Sequence, residues 1–295
     1  MEYLLIPRKL ERLTTKESTI SFSVHQITEP TPQRLPVILQ AGASTKGLEY
    51  AAKHAEAVFI NGMTPEGLKS KIDKLKKLVV KNGRNPDDVK VVQLVTVITA
   101  PTHDEAIAKY KEYKQYTDKE GAQALFSGWT GVDLGKFDYD EELDKVESNA
   151  VRSFVEMWTK PMPGDPPNLK KTRASIVDQL EIGGSGILII GDPNEVADEL
   201  IRWHEISGVD GFNFTYAVSP GSFEDLVDYV IPVLQERGYA QKEYPREGIS
   251  FRENLYGVGN TFLKPDHPAY GLRWKAGETK EEFEERLPKV LEENF

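Results

Sequence analysis

The residues best suited to chemistry stand together at Gln40-Ala41-Gly42-Ala43-Ser44, directly after the apolar run LPVIL. An apolar run that ends in small residues and passes into an amphipathic stretch reads as a strand meeting a helix N-terminus. At such a junction the first helical N–H groups have no intrahelical acceptor, and the helix dipole favours negative charge. Gly42 and Ala43 let an anion approach the backbone, the Ser44 hydroxyl adds a donor, and Gln40 is a weaker second one. No carboxylate intervenes. This is the chemistry of a phosphate site. The same small residues would also serve plain tight packing of strand on helix, and spacing alone does not separate the two readings.

Other constellations lead nowhere comparable. Gly183-Gly184-Ser185-Gly186 precedes a strand, whereas a dinucleotide fingerprint follows one, and Ile189 stands where its third glycine belongs. It also fails as a nucleophile elbow, with Ile187 at the last glycine position. His25, His54, His103, His204 and His267 are far apart in sequence, so no metal site is expected, and each is read as structural or surface. Asp138, Asp140 and Glu142 alternate as calcium ligands can, but lack the glycine and distal glutamate of that loop. Phe126, Trp129 and Phe137 could wall an apolar substrate pocket or could pack their own segment against the rest of the fold. The chain has no cysteine, so redox chemistry must come from a bound cofactor. A net charge of −10 with scattered lysines opposes nucleic-acid binding. No apolar run is long enough to span a membrane and no signal-peptide pattern opens the chain, so a soluble cytoplasmic protein is expected.

The elements that must position the small-residue turn alternate between short apolar runs and amphipathic stretches, the pattern of βα units on a parallel sheet. Leu35 to Leu39, Ala55 to Ile60 and Val89 to Thr99 read as strands. Between the second and third, Thr64 and Pro65 open a helix with an apolar stripe at Leu68, Ile72, Leu75, Leu78 and Val79, and Asn82-Gly83 closes it. A charged helix around Asp104 to Tyr116 follows. From about Thr117 to Ser185 regularity fails, and the segment is read as an inserted lid or binding loop that proteases should cut near Pro161 to Pro167. Order resumes at Ile187 with a strand, then a helix whose capping box is Asp192 and Glu195 and whose end is Gly208. Val209 to Phe214 is a further strand, and Ser222 with Asp225 is expected to cap a helix bent at Pro232. Beyond Tyr239, FRENLYG and PDHPAYGLRW read as extended or irregular tail.

The stretch EPTPQRLPVILQAGASTKGLEYAAKHAEAVF, with ALFSGWTGVDL, VESNA, GDPNEVADEL, GVDGFNF, FRENLYG and PDHPA in the same order, resembles the bacterial-luciferase-like flavin-dependent monooxygenases. Within that family it is similar to the nitrilotriacetate and dibenzothiophene-sulfone group, over about residues 20 to 275. The resemblance implies an α/β fold of the luciferase-like (β/α)8 TIM-barrel type. It implies an FMN-dependent monooxygenase that receives FMNH2 from a separate NAD(P)H:flavin reductase and uses O2 on a small organic substrate. Gly42, Ala43, Ser44 and, less firmly, Gln40 inherit the flavin-phosphate role by position. A deazaflavin-dependent oxidoreductase of the same superfamily is the alternative chemistry.

In such proteins four strands precede this segment, and the ~35 residues before it cannot encode four βα units, since one needs about 30. The division expected is therefore residues 1–34 as an N-terminal segment whose start matches nothing in the family, residues 35–238 as the second half of a barrel, about four βα units with the insertion at about 117–185, and residues 239–295 as tail. A truncated product, a split half or a mispredicted frame would each look like this. The ring-gripping residues would be missing, so the chain alone should be non-catalytic, a partner-complementing half at most, and should self-associate through uncovered strands.

Overall fold

The structure is a computed structural model that describes residues 12–16, 21–25, 35–42, 44–143, 152–273 and 277–294. Strands β1 (Arg12–Lys16) and β2 (Ser21–His25) form an antiparallel pair within the N-terminal segment.

The main sheet is parallel and holds β3 (Leu39–Ala41), β4 (Ala57–Phe59), β5 (Lys90–Thr99), β6 (Ile187–Gly191) and β7 (Gly211–Thr215). Val92 pairs with Phe59 and with Gly211, and Val95 pairs with Ile187 and with Phe214. A residue has only two edges, so β7 lies on one side of β5, and β4 and then β6 lie along the other. The order across the sheet is β3, β4, β5, β7, with β6 flanking the far half of β5.

Helices cover one face. α1 (Thr45–His54), α2 (Pro65–Lys81) and α7 (Pro193–Ser207) bury Leu48, Leu68, Ile72, Leu75, Leu200 and Trp203 against Val58, Val91, Val95 and Val97. α2 starts and stops as its sequence requires: Thr64 accepts from the Gly67 N–H, Pro65 sits at the first position, and Asn82 ends it. The Asp192/Glu195 capping box and left-handed Gly208 bound α7. α3 (His103–Lys114) follows β5.

Four expectations are corrected. Leu35 to Ile38 is not strand: Pro36 has no N–H to give, and the Ile38 N–H goes to the Glu56 carboxylate at 3.0 Å, so β3 begins only at Leu39. The 117–185 segment is not irregular but carries α4 (Lys119–Thr130), α5 (Arg152–Thr159) and α6 (Arg173–Leu180) around a second apolar core of Phe126, Leu134, Leu143, Trp158 and Val177. Ser222 caps no helix. α8 (Gly221–Asp225) passes through a π-helical turn, Leu226–Val230, into α9 (Ile231–Glu236), and Ser222 Oγ instead accepts the Ala217 and Val218 N–H groups. The π turn directly before Pro232 accommodates the missing N–H. The tail, finally, carries helices: α10 (Phe251–Tyr256) has its own Ser250/Glu253 capping box, and α11 is Lys280–Asn294.

Candidate functional site

At the C-terminal end of β3 the chain turns through Gly42 at φ +149°, a backbone state that L side chains rarely adopt, while Ala43 lies outside the described residues. Ser44 is the N-cap of α1, extended at φ −66° and ψ 161°, and its Oγ accepts the Gly47 N–H at 3.0 Å. That bond uses Ser44 Oγ as an acceptor and leaves its O–H proton unused by it. Gln40 Nε2 donates to the Gly47 carbonyl at 3.2 Å, and Gln40 Oε1 is buried with no hydrogen-bond partner among the described residues.

Gly47 makes this geometry possible. A Cβ there would stand 2.9 Å from the Gly42 oxygen and 3.1 Å from Ser44 Oγ, so only glycine lets the helix lie this close to the turn. The first turn of α1 carries no acid, and the only basic side chain in it, Lys46, is turned to Glu49 at 2.8 Å. A helix start without a competing carboxylate is the kind of place that can accept an anion. Gly42 and Ser44 are both half-buried.

The neighbouring strand end is held by side chains in place of a ladder. Gln93, fully buried on β5, accepts the Gly62 N–H at 2.7 Å, and Asn61 Oδ1 accepts the Leu94 N–H at 3.3 Å. These two amides extend the β4–β5 pairing past Phe59. Lys71 on α2 donates to the Asn61 carbonyl at 2.6 Å, and burial pushes its amine down to about 8.

The family model described as luciferase-like monooxygenase matches residues 2–210. The chain belongs to the luciferase-like monooxygenase family. That match takes in the N-terminal segment from residue 2, against the expectation that its start matches nothing in the family. Dimethyl-sulfide monooxygenase of Hyphomicrobium sulfonivorans is 43% identical over 84% of this chain and 50% of its own length. Nitrilotriacetate monooxygenase component A of Aminobacter aminovorans is 34% identical over 76% of this chain and 49% of its own. A solved riboflavin lyase with modified FMN and riboflavin superposes with a TM-score of 0.77 at 28% identity, covering 92% of this chain and 58% of that one. The chain thus spans about half the length of the curated relatives it matches.

Within this luciferase-like framework the three aromatic candidates separate. Phe126 is 0% exposed, with its ring edge-on to Trp158 at 6.2 Å, and Phe137 packs half-buried on the same core. Both take the packing role, and Phe126 has no surface to offer a substrate. Trp129 is 40% exposed, with its ring edge 3.7 Å from where a Gly184 Cβ would be.

Sequence reasoning passed over Gly47, Gln93 and Asn61. Gly47 carries a signal, a glycine in the first turn of a helix where propensity disfavours it. The amides show none, because their role depends on which strands neighbour each other. Of the histidines, His103 Nδ1 lies 2.9 Å from Glu195, which raises its pKa, and His204 Nδ1 lies 2.7 Å from the Val209 carbonyl.

Proposed function

We propose that this chain carries the flavin-phosphate end of an FMN-dependent, two-component monooxygenase that oxidises a small organic substrate. One observation carries the reading: a Ser44-capped helix start, opened by Gly42, kept close by Gly47 and free of acids, at the C-terminal end of a parallel strand. Sites in parallel βα folds gather at that end. Gly42 and Ser44, with Ala43 between them, would hold the phosphate through backbone N–H groups and the Ser44 hydroxyl, and Gln40 would brace the turn from below. Reduced FMN supplies the electrons that activate O2. The chain's own part is to fix one end of the cofactor.

Partners follow from the same reading. A relative named as a component A supports delivery of FMNH2 by a separate NAD(P)H:flavin reductase. The four strands in ring order support a segment of a TIM barrel, with a half-barrel that works by complementation as the second reading. Trp129, 40% exposed, is the aromatic candidate with the most surface for an apolar substrate.

The test is a chimera in which Glu29 to Phe59 replaces the matching stretch of the dimethyl-sulfide monooxygenase. FMN binding should survive the exchange, and G42V in the chimera should weaken it by roughly tenfold or more, the loss of one charge-assisted contact. Equal FMN affinity with and without G42V would overturn the phosphate assignment.

A further inference from the structure

Among the described residues β6 pairs with the sheet by one edge only, Ile187 to Gly191 running beside Val95 to Thr99 of β5. No hydrogen bond outside that ladder reaches the backbone of Ile187 to Ile190 among the described residues. The N–H and C=O groups of a strand point alternately to its two edges, so part of this backbone is without a partner. The free edge opens into a groove of about 570 Å³. Four consecutive residues, Ile187, Leu188, Ile189 and Ile190, line it. Successive side chains point to opposite faces, so no single face of β6 could supply all four. The Ile187 and Ile189 side chains are moreover taken up in the main core, at 5% and 7% exposure. The groove therefore meets β6 edge-on, at its backbone.

The other walls are the start of α2 and one face of α7, and they are acidic. Glu195 is held by His103 and by the Asp192 N–H, each at 2.9 Å. Glu199 is held by Arg202 at 2.7 and 2.8 Å and by Trp203 Nε1 at 2.9 Å. Glu66, in the first turn of α2, makes no hydrogen bond or ion pair among the described residues. Met63 and Trp203 add apolar contact to the same groove.

We propose that this groove binds an extended peptide segment with a basic side chain, which adds to β6 as a further strand and sets its cation against Glu66. Two observations select that occupant. A bare strand edge recognises main chain in repeating register, which a compact small molecule does not offer. The carboxylates repel an acidic segment, and Glu66 is left to pair with a basic one. Four residues of β6 span about 13 Å, room for about three to four residues of the segment. The inference is independent of the flavin reading, since no residue of the Ala41–Ser44 turn lines the groove.

The test uses the full chain and a fluorescein-labelled hexapeptide of alternating valine and lysine, read by fluorescence anisotropy, with hydrogen exchange followed at Ile187 to Ile190. Binding is expected, with exchange at those amides slowed by roughly tenfold or more. Methylating alternate backbone nitrogens of the peptide removes its donors and should weaken binding by roughly tenfold or more. E66K should weaken it by roughly tenfold and E66Q, which keeps the side chain's size, by about threefold, whereas E285K on exposed Glu285 of α11 should leave it within about twofold. No binding, equal affinity for the methylated peptide or for one of alternating valine and glutamate, or unchanged exchange at Ile187 to Ile190 with peptide bound would each overturn the proposal. Equal loss in E66K and E285K would overturn it as well, because it would reduce the binding to general attraction by an acidic chain.

Discussion

The two ends of one sheet are built on opposite principles. At the N-terminal ends of the strands a buried charge pair is closed on itself: Glu56 and Arg252 are each 3% exposed, joined through Nε–Oε1 at 2.7 Å and Nη2–Oε2 at 3.0 Å. Glu56 also accepts the Ile38 N–H, Arg252 donates to the Leu35 and Thr261 carbonyls, and Tyr256 reaches the Glu56 and Asp88 carbonyls. Asp210 accepts the Val91 N–H at 2.9 Å and pairs with Lys90 at 3.2 Å. At the C-terminal ends the pattern reverses. The β3 turn leaves N–H groups without intrahelical acceptors, Gln40 Oε1 has no partner among the described residues, and Tyr216 and Phe223 stand 54% and 40% exposed with rings 5.7 Å apart. The tail is thus a clasp on the N-terminal end of the sheet, and among the described residues the C-terminal end has no clasp of this kind.

The sharpest way to break the comparison is R252A. Removing one partner of a buried pair leaves Glu56 as an uncompensated charge, a loss of about 3–5 kcal/mol. Urea unfolding of the full chain should show it. A loss no larger than that of an exposed pair, within about 1 kcal/mol, would mean that the N-terminal end is not locked as described.

The second test acts at the open end. G47A adds a methyl against backbone, at 2.9 Å from the Gly42 oxygen, and backbone cannot swing aside as a side-chain tip can. Displacing the turn should cost about 1–3 kcal/mol, partly offset by about 1 kcal/mol of better helix propensity. In the chimera described above FMN affinity should fall more steeply than stability does. If stability falls and FMN affinity does not, the close approach serves packing alone.

How much of this was legible beforehand follows the range of the interactions. α2 and α7 were readable because Thr64, Pro65, Asp192, Glu195 and Gly208 act within a turn of their own backbone. The turn at Gly42 and Ser44 was readable as a place but not as a purpose, since phosphate binding and tight packing ask for the same small residues. The clasp was invisible, because Glu56 and Arg252 are 196 residues apart and nothing local marks either as buried. The inserted segment looked irregular because its helices are short, eight to twelve residues, and are stabilised by one another through Phe126 and Trp158. FRENLYG hid a helix for the same reason: six residues are too few for a periodic stripe.

A milder probe of the open end is S44A. The cap bond to the Gly47 N–H is lost, which should lower stability by about 1 kcal/mol. The O–H donor is lost as well, so in the chimera the preference for FMN over riboflavin, which lacks the phosphate, should narrow. A stability loss with the preference intact would assign Ser44 to the helix alone.

The smallest expected effect returns to the clasped end and concerns His267. Its ring is 3% exposed, Nε2 donates to the His54 carbonyl at 2.8 Å and Nδ1 accepts the Ala269 N–H at 3.0 Å, so both nitrogens are spoken for in the neutral form. Burial holds its pKa below the usual histidine value, the nearby Arg84 works in the same direction, and the His54 bond with Glu56 and Asp266 works against it. A pKa lowered in the folded chain means that the unfolded chain takes up the proton first. The stability contributed by neutral His267 is therefore fully present above the unfolded value of about 6.5, and is lost as pH falls below it. His54, half-buried and lowered chiefly by burial, adds a loss of the same sign. The urea midpoint should thus fall between pH 7.5 and pH 5.5, and H267Q should have a lower midpoint at pH 7.5 but a shallower fall. The amide can still donate to the His54 carbonyl, and it has no proton to gain. An H267Q chain whose midpoint falls as steeply as the parent's would place the acid sensitivity elsewhere and remove the histidine from the clasp's chemistry.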